Sequence, residues 1–154
     1  MSVIDEFTEL CRAEIALMSR LLALLEQEQS LLVHRLEHQL DALADEKSEV
    51  LDELAQQSAL RGKLLAEQGV QDKDTLYIWL ADKPAACEAW VQLEDVVGRA
   101  QGVNQLNAGF VSERLQEVEG ALTALRAAAA STLGYDRDGN RPDVVTGRRL
   151  LGSA

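Results

Sequence analysis

The chain lacks punctuation. Neither glycine nor proline occurs before Gly62, and only two prolines stand among its 154 residues. Aromatic residues are few as well, two each of Phe, Tyr and Trp, which argues against a large globular core. The 47% hydrophobic content is better used in aliphatic helix seams, which need few aromatics. Cysteine is limited to Cys11 and Cys87 with no C-x-x-C spacing. That points away from a zinc site or a disulfide framework and leaves two reduced packing thiols. Basic side chains are outnumbered 15 to 26, for a net charge of −11. This argues against nucleic acid held through its phosphates and equally against an anionic membrane surface. No apolar run approaches the roughly 20 residues that span a bilayer. The opening Met-Ser-Val-Ile-Asp-Glu has no basic n-region and no apolar h-region. The expectation is a soluble, cytoplasmic protein with no direct membrane insertion.

What is present is helical periodicity. From Trp90 to Thr132 a stripe recurs at steps of three and four: Trp90, Leu93, Val97, Ala100, Asn104, Asn107, Val111, Leu115, Val118, Leu122, Leu125, Ala129 and Thr132. This is one face of a very long α-helix. Residues 4–32 carry a second seam of Ile4, Phe7, Cys11, Glu14, Met18, Leu21, Leu25, Glu28 and Leu32, widened by Leu10, Leu17, Leu22 and Leu24. A third runs through Leu36, Leu40, Leu43, Lys47, Val50, Leu54, Gln57, Arg61 and Leu64. A single helix over 3–68 would be roughly 100 Å long and could not cover its own apolar face. It must fold back.

The charges inside the seams set the register. With the turn near Glu37 and His38, residues whose numbers add to 75 lie opposite one another, so Glu28 meets Lys47 and Glu14 meets Arg61. Each seam charge then finds its opposite, the usual condition for a half-buried ion. An αα-hairpin with these two register pairs is predicted. Gly69 suits the stop of its second helix. Asp72 or Asp74 can cap a short helix that packs its aromatics on the hairpin, and Asp82 can cap a long third helix with Pro84 in its first turn. The expected fold is all-α: an antiparallel helical hairpin plus a long third helix, a three-helix coiled-coil-like bundle. Its helices span about 3–34, 38–68, 73–80 and 84–133 within one domain over 1–133, followed by a flexible C-terminal tail over 134–154.

At roughly 75 Å the third helix outruns hairpin arms of roughly 45–50 Å. Seam residues in its overhang then have no intramolecular partner, the usual mark of a binding surface. Gly98, Gly102, Gly109 and Gly120 along this helix predict some bending near 98–109. Asn104 and Asn107 interrupt its seam, where polar residues commonly fix register or partner choice. The tail has no usable apolar period and turns from the acidic body, with 11 basic and 23 acidic side chains, to four Arg against three Asp.

Chemistry-bearing motifs are weak. His34-Arg-Leu-Glu37-His38 matches the H-x-x-E-H spelling of a zinc protease helix, but both histidines fall on the solvent side or in the turn. Asp136-Arg-Asp138-Gly-Asn140 has the start of a calcium loop, yet Arg141 and Gly147 stand where that loop needs Gly and Glu. With no phosphate loop and no nucleophile elbow either, neither an enzyme, a metal nor a cofactor is expected.

Several of these residues carry a resemblance. The Glu28 to Lys47 hairpin, Arg61, Trp90, the run Asn104-Gln-Leu-Asn107-Ala-Gly109-Phe110 and the final Tyr135 with Gly139 resemble the FlgN-type flagellar export chaperones, over nearly the whole chain. The resemblance implies a chaperone that binds C-terminal segments of hook–filament junction proteins, prevents their premature assembly and delivers them to the cytoplasmic domain of a type III export-gate membrane protein. It places cargo binding on Val111, Leu115, Val118, Leu122, Leu125 and Ala129, and gate docking at Tyr135 and Gly139. The competing expectation is a structural coiled-coil module that dimerises through the third helix.

Overall fold

The computed structural model describes the backbone over residues 1–133 and side chains over residues 1–128. Four α-helices form: α1 Val3–Val33, α2 Asp41–Glu67, α3 Lys73–Leu80 and α4 Pro84–Leu133. Among the described residues there is no strand.

Each boundary has a local cause. Ser2 caps α1 in a reciprocal box with Asp5, and Asp72 does the same for α3 with Thr75. Gly69, at φ 75°, ends α2 in a Schellman motif: its N–H donates to the Ala66 carbonyl, and Val70 N–H donates to that of Leu65. The end of α1 repeats this geometry without a glycine. Arg35 takes φ 57°, with its N–H on the Leu32 carbonyl and Leu36 N–H on that of Leu31. The turn between α1 and α2 thus occupies His34–Leu40 around a single 3₁₀ turn, Glu37–Gln39, so α2 starts three residues later than the seam predicts. The cap expected at Asp82 falls on Lys83 instead, since α4 begins at Pro84 and the Lys83 carbonyl accepts from Cys87 N–H. Asp82 pairs with the Lys83 ammonium. The glycines of α4 do not break it; Pro84–Leu133 is one uninterrupted helix.

The central helix is α1, which packs against α2 on one side and α4 on the other. This explains its width of apolar sequence. Leu21, Leu22, Leu24 and Leu25 are all buried, a set too broad for one seam but right for a helix with neighbours on two flanks. Fixing the N-terminal end, Phe7 is fully buried with its ring edge-on to Trp79 at 5.2 Å and tilted against Trp90 at 6.4 Å. Leu76 and Leu80 of α3 join the same cluster, so α3 seats the start of α4 beside the start of α1.

Candidate functional site

Two registers place the site. Between α1 and α2 the rule of 75 operates: Lys47 Nζ lies 2.9 Å from Glu28 Oε1, and Arg61 Nε 2.7 Å from Glu14 Oε1. Both pairs are largely buried, and Arg61 also stacks its guanidinium 5.1 Å from the centre of the Trp90 ring. Between α1 and α4 a second rule appears, which the seams alone did not disclose. Asn107 Nδ2 donates to the Leu25 carbonyl at 2.9 Å, Arg114 Nη2 to the Leu32 carbonyl at 2.9 Å, and Arg35 Nη1 to Glu117 at 2.9 Å. Each pair is 82 positions apart. A constant difference means α1 and α4 run parallel, so α1 ends beside Leu115. Beyond Glu117 the hairpin has no helix left to offer, and α4 continues for sixteen residues to Leu133, about 24 Å.

The face left uncovered there is the face that packs lower down. Ala86, Ala89, Leu93, Val96 and Ala100 are buried against α1, and Asn107 continues them at the same spacing. The same stripe then carries Leu115, 43% exposed, Val118, 45% exposed, and Leu125, 65% exposed, while Val111 and Leu122 are half-buried. The side chain of Ala129, and Tyr135 and Gly139 altogether, lie outside the described residues. Asn107 is buried in the helix pair as expected, with its Oδ1 lacking a partner. Asn104 is a correction: it is exposed, and the half-buried Val103 takes the packing position. The packed face takes in Val96 and Val103 together with Val97 and passes over Asn104, while Phe110 and Val111 are both half-buried.

A four-residue ionic cluster marks where the packed part of α4 gives way to the uncovered one. Arg114 Nε binds Glu37 at 2.7 Å while its other nitrogen holds the Leu32 carbonyl, and Arg35 binds Glu117. Burial pushes the Glu37 carboxyl up, but its own backbone N–H and the Arg114 guanidinium outweigh that and hold it below the usual range. Hydrogen bonding from Arg35 lowers Glu117 likewise. Sequence reading missed this cluster, although Arg114 offered a signal: a charge seven residues after Asn107 on the packed face requires a partner.

Chemically the exposed stripe can grip an apolar surface. His34, at the end of α1, and His38 in the turn are exposed, and among the described residues no group of His, Cys, Asp and Glu could hold a metal ion. Burial pushes the Cys11 thiol up to about 12, so it is inert. An open groove of about 730 Å³ lies between the end of α2 and α4, but its charged residues Arg61, Asp72, Lys73 and Glu94 are each engaged with a neighbour. Among the described residues no helix is long and apolar enough to cross a membrane.

Comparison with known proteins identifies the chain's relatives. The model of the family described as FlgN protein matches residues 1–143, and the chain belongs to that family. No curated protein and no solved structure matches it. The family is one of flagellar export chaperones, and that general role is this chain's.

Proposed function

We propose, with FlgN-family membership as the premise, that the chain holds the C-terminal helical segment of a hook–filament junction protein on the uncovered stripe of α4. It acts in the cytoplasm, keeps that segment from assembling early, and presents it to the cytoplasmic domain of an export-gate membrane protein through the tail at Tyr135 and Gly139. The observation that carries the reading is the continuity of one helix face, packed against α1 up to Arg114 and, among the described residues beyond it, exposed at Leu115, Val118 and Leu125 and half-buried at Leu122. A cargo helix seated there extends the line of α1 and supplies the neighbour that α4 lacks. Covering Val118, Leu122 and Leu125 releases on the order of 5 kcal/mol of apolar burial, taking about 25 cal/mol per Å². After the cost of association this suits a reversible complex.

Calorimetry of the whole protein with synthetic peptides of junction-protein C-termini tests this. Saturable one-to-one binding is expected, lost in Leu125→Asp or Leu122→Asp with helicity unchanged; retained affinity in both variants removes the stripe from consideration. Tyr135→Ala should leave peptide affinity intact and slow export, and a normal export rate in that variant counts against a docking tail. Self-association through the middle of α4 is the weaker reading, because Asn107 spends its amide on Leu25 of its own chain. A stable dimer in sedimentation would reverse that preference.

A further inference from the structure

The overhang of α4 keeps its unpaired charges in one place. From Leu115 to Leu133 the sequence holds three charged residues, Glu117, Glu119 and Arg126. Glu117 binds Arg35. Glu119 and Arg126 are exposed, and among the described residues neither has an ion-pair partner. Their own helix offers none, since no charged residue stands three or four places from either. Both lie at the edge of the uncovered stripe. Leu115, Val118, Leu122 and Leu125 recur at steps of three and four, the spacing of a two-helix seam. At about 100° per residue, Glu119 and Arg126 fall roughly 70° from the middle of that seam and on the same side, where a side chain reaches the flank of a neighbouring helix. The other edge carries Ala121, and the outward face carries Gln116, Gly120, Thr123 and Ala127. Charges that served only to keep the overhang dissolved would stand on that outward face. Instead it is uncharged, and one edge of the seam holds an acid and a base about 10 Å apart.

We propose that Glu119 and Arg126 select the partner: the stripe takes an amphipathic α-helix that carries, along one edge of its own apolar face, a basic residue against Glu119 and an acidic residue against Arg126. This rests on the reading of the stripe as the cargo site and adds what the cargo helix must look like. An apolar seam alone grips any amphipathic helix, because burial of leucine and valine is non-directional. Edge charges of opposite sign turn that grip into a choice. A helix with like charges at both places meets repulsion at one of them, and a helix slid by one turn along the seam loses both pairs. The pattern therefore fixes register as well as partner. The same device aligns α1 with α2, where Glu14 and Glu28 meet Arg61 and Lys47. On the overhang the opposite charges come from the partner.

Calorimetry of the full chain with synthetic peptides of junction-protein C-termini tests the selection. Glu119→Lys and Arg126→Glu should each weaken binding about three- to tenfold, an exposed attraction being turned into a repulsion, with helicity unchanged because neither side chain supports the fold. Ala127→Glu adds a charge on the outward face and should bind as the parent does; a loss there equal to that of Arg126→Glu overturns the proposal. Parent affinity should fall as sodium chloride is added, and Glu119→Gln with Arg126→Gln should lose most of that dependence. The exchanged chain, Glu119→Lys with Arg126→Glu, should bind the parent peptide worst and regain affinity for a peptide whose facing basic and acidic residues are exchanged. A peptide lost in Leu122→Asp yet bound equally by the parent and both charge variants overturns the selection and leaves the cargo reading standing. Affinity that survives Leu122→Asp removes the cargo reading and the selection with it. Sedimentation in which the parent dimerises and Glu119→Lys does not assigns the charged edge to a second copy and overturns the proposal equally.

Discussion

Replacing Arg61 by Met probes the hairpin register where it is most buried. The Glu14 side chain is only 5% exposed and that of Arg61 19%, so Arg61→Met strands a carboxylate in the core between α1 and α2. Removing one member of such a pair costs about 3–5 kcal/mol, and the lost stacking on Trp90 adds on the order of 1 kcal/mol. For a helical body of this size that is a fall in Tm on the order of 10 °C or more. Glu14→Gln should cost less, because an amide oxygen can still accept from Arg61 Nε. The double replacement Glu14→Leu with Arg61→Met should return to within about 1 kcal/mol of the parent, since neither charge then remains to be solvated. Urea unfolding followed by far-ultraviolet circular dichroism gives all three values, and the double-mutant cycle isolates the coupling. A loss below about 0.5 kcal/mol in Arg61→Met would refute the reasoning, because the pair would then fix nothing.

Further expectations follow from the α1–α4 seam. Asn107→Leu removes both the bond to Leu25 and the partnerless Oδ1, so stability should change by less than about 1 kcal/mol, whereas Asn107→Asp buries a charge and should cost about 3 kcal/mol or more; chemical denaturation distinguishes them. Glu37 has a carboxyl held below its ordinary 4.5 in the folded chain, so its stabilising share is present above about pH 4.5 and is lost as pH falls through the lowered value. Glu37→Gln should therefore flatten the stability profile below that pH and leave its neutral arm parallel to the parent's; an unchanged acid slope would count against the Arg114 contact. Arg35→Gly gives up an exposed ion pair but relieves a left-handed backbone that glycine adopts readily, so the melting temperature should hold or rise. A clear fall would assign the turn's stability to the Glu117 contact instead.

The hairpin was legible in the sequence because its seams contain charges. An apolar seam slides by a turn at small cost, but Glu14, Glu28, Lys47 and Arg61 admit one alignment that pairs every ion, and the rule of 75 follows from that alone. Gly69 was legible because glycine suits the left-handed stop of a helix, and the cap of α3 was narrowed to Asp72 or Asp74, of which Asp72 is the one used. The parallel seam between α1 and α4 was not. Its offset of 82 depends on how α3 and the Phe7 cluster seat Pro84 beside the start of α1, a packing event with no local signature. Without that offset the packed face of α4 was read from spacing only. Spacing of three and four fits Asn104 as well as Val103, and only the packing against α1 decides between them. Arg35 at positive φ was hidden also, since an arginine after a helix gives no hint that it occupies a glycine position.

The length of α4 acquires its meaning from how firmly its first half is held. A fifty-residue helix alone in water would fray along an exposed stripe, because most helix stability in proteins comes from packing. Here Trp90, the Leu93 to Ala100 face, Asn107 and then Arg114 anchor about thirty residues against α1, and Arg114 on Glu37 with Glu117 on Arg35 tie the helix to the turn at the last point of contact. The uncovered third therefore starts from a fixed direction and a fixed face, presented to a partner before that partner arrives. Loosening this anchor should weaken cargo binding without touching the stripe. Arg114→Ala leaves Val118, Leu122 and Leu125 in place but removes the bonds to Glu37 and the Leu32 carbonyl. If preorganisation matters, peptide affinity should fall about five- to tenfold through a faster dissociation rate. Identical binding by the parent and Arg114→Ala would mean that the stripe works as an isolated amphipathic helix, and that the hairpin contributes solubility alone.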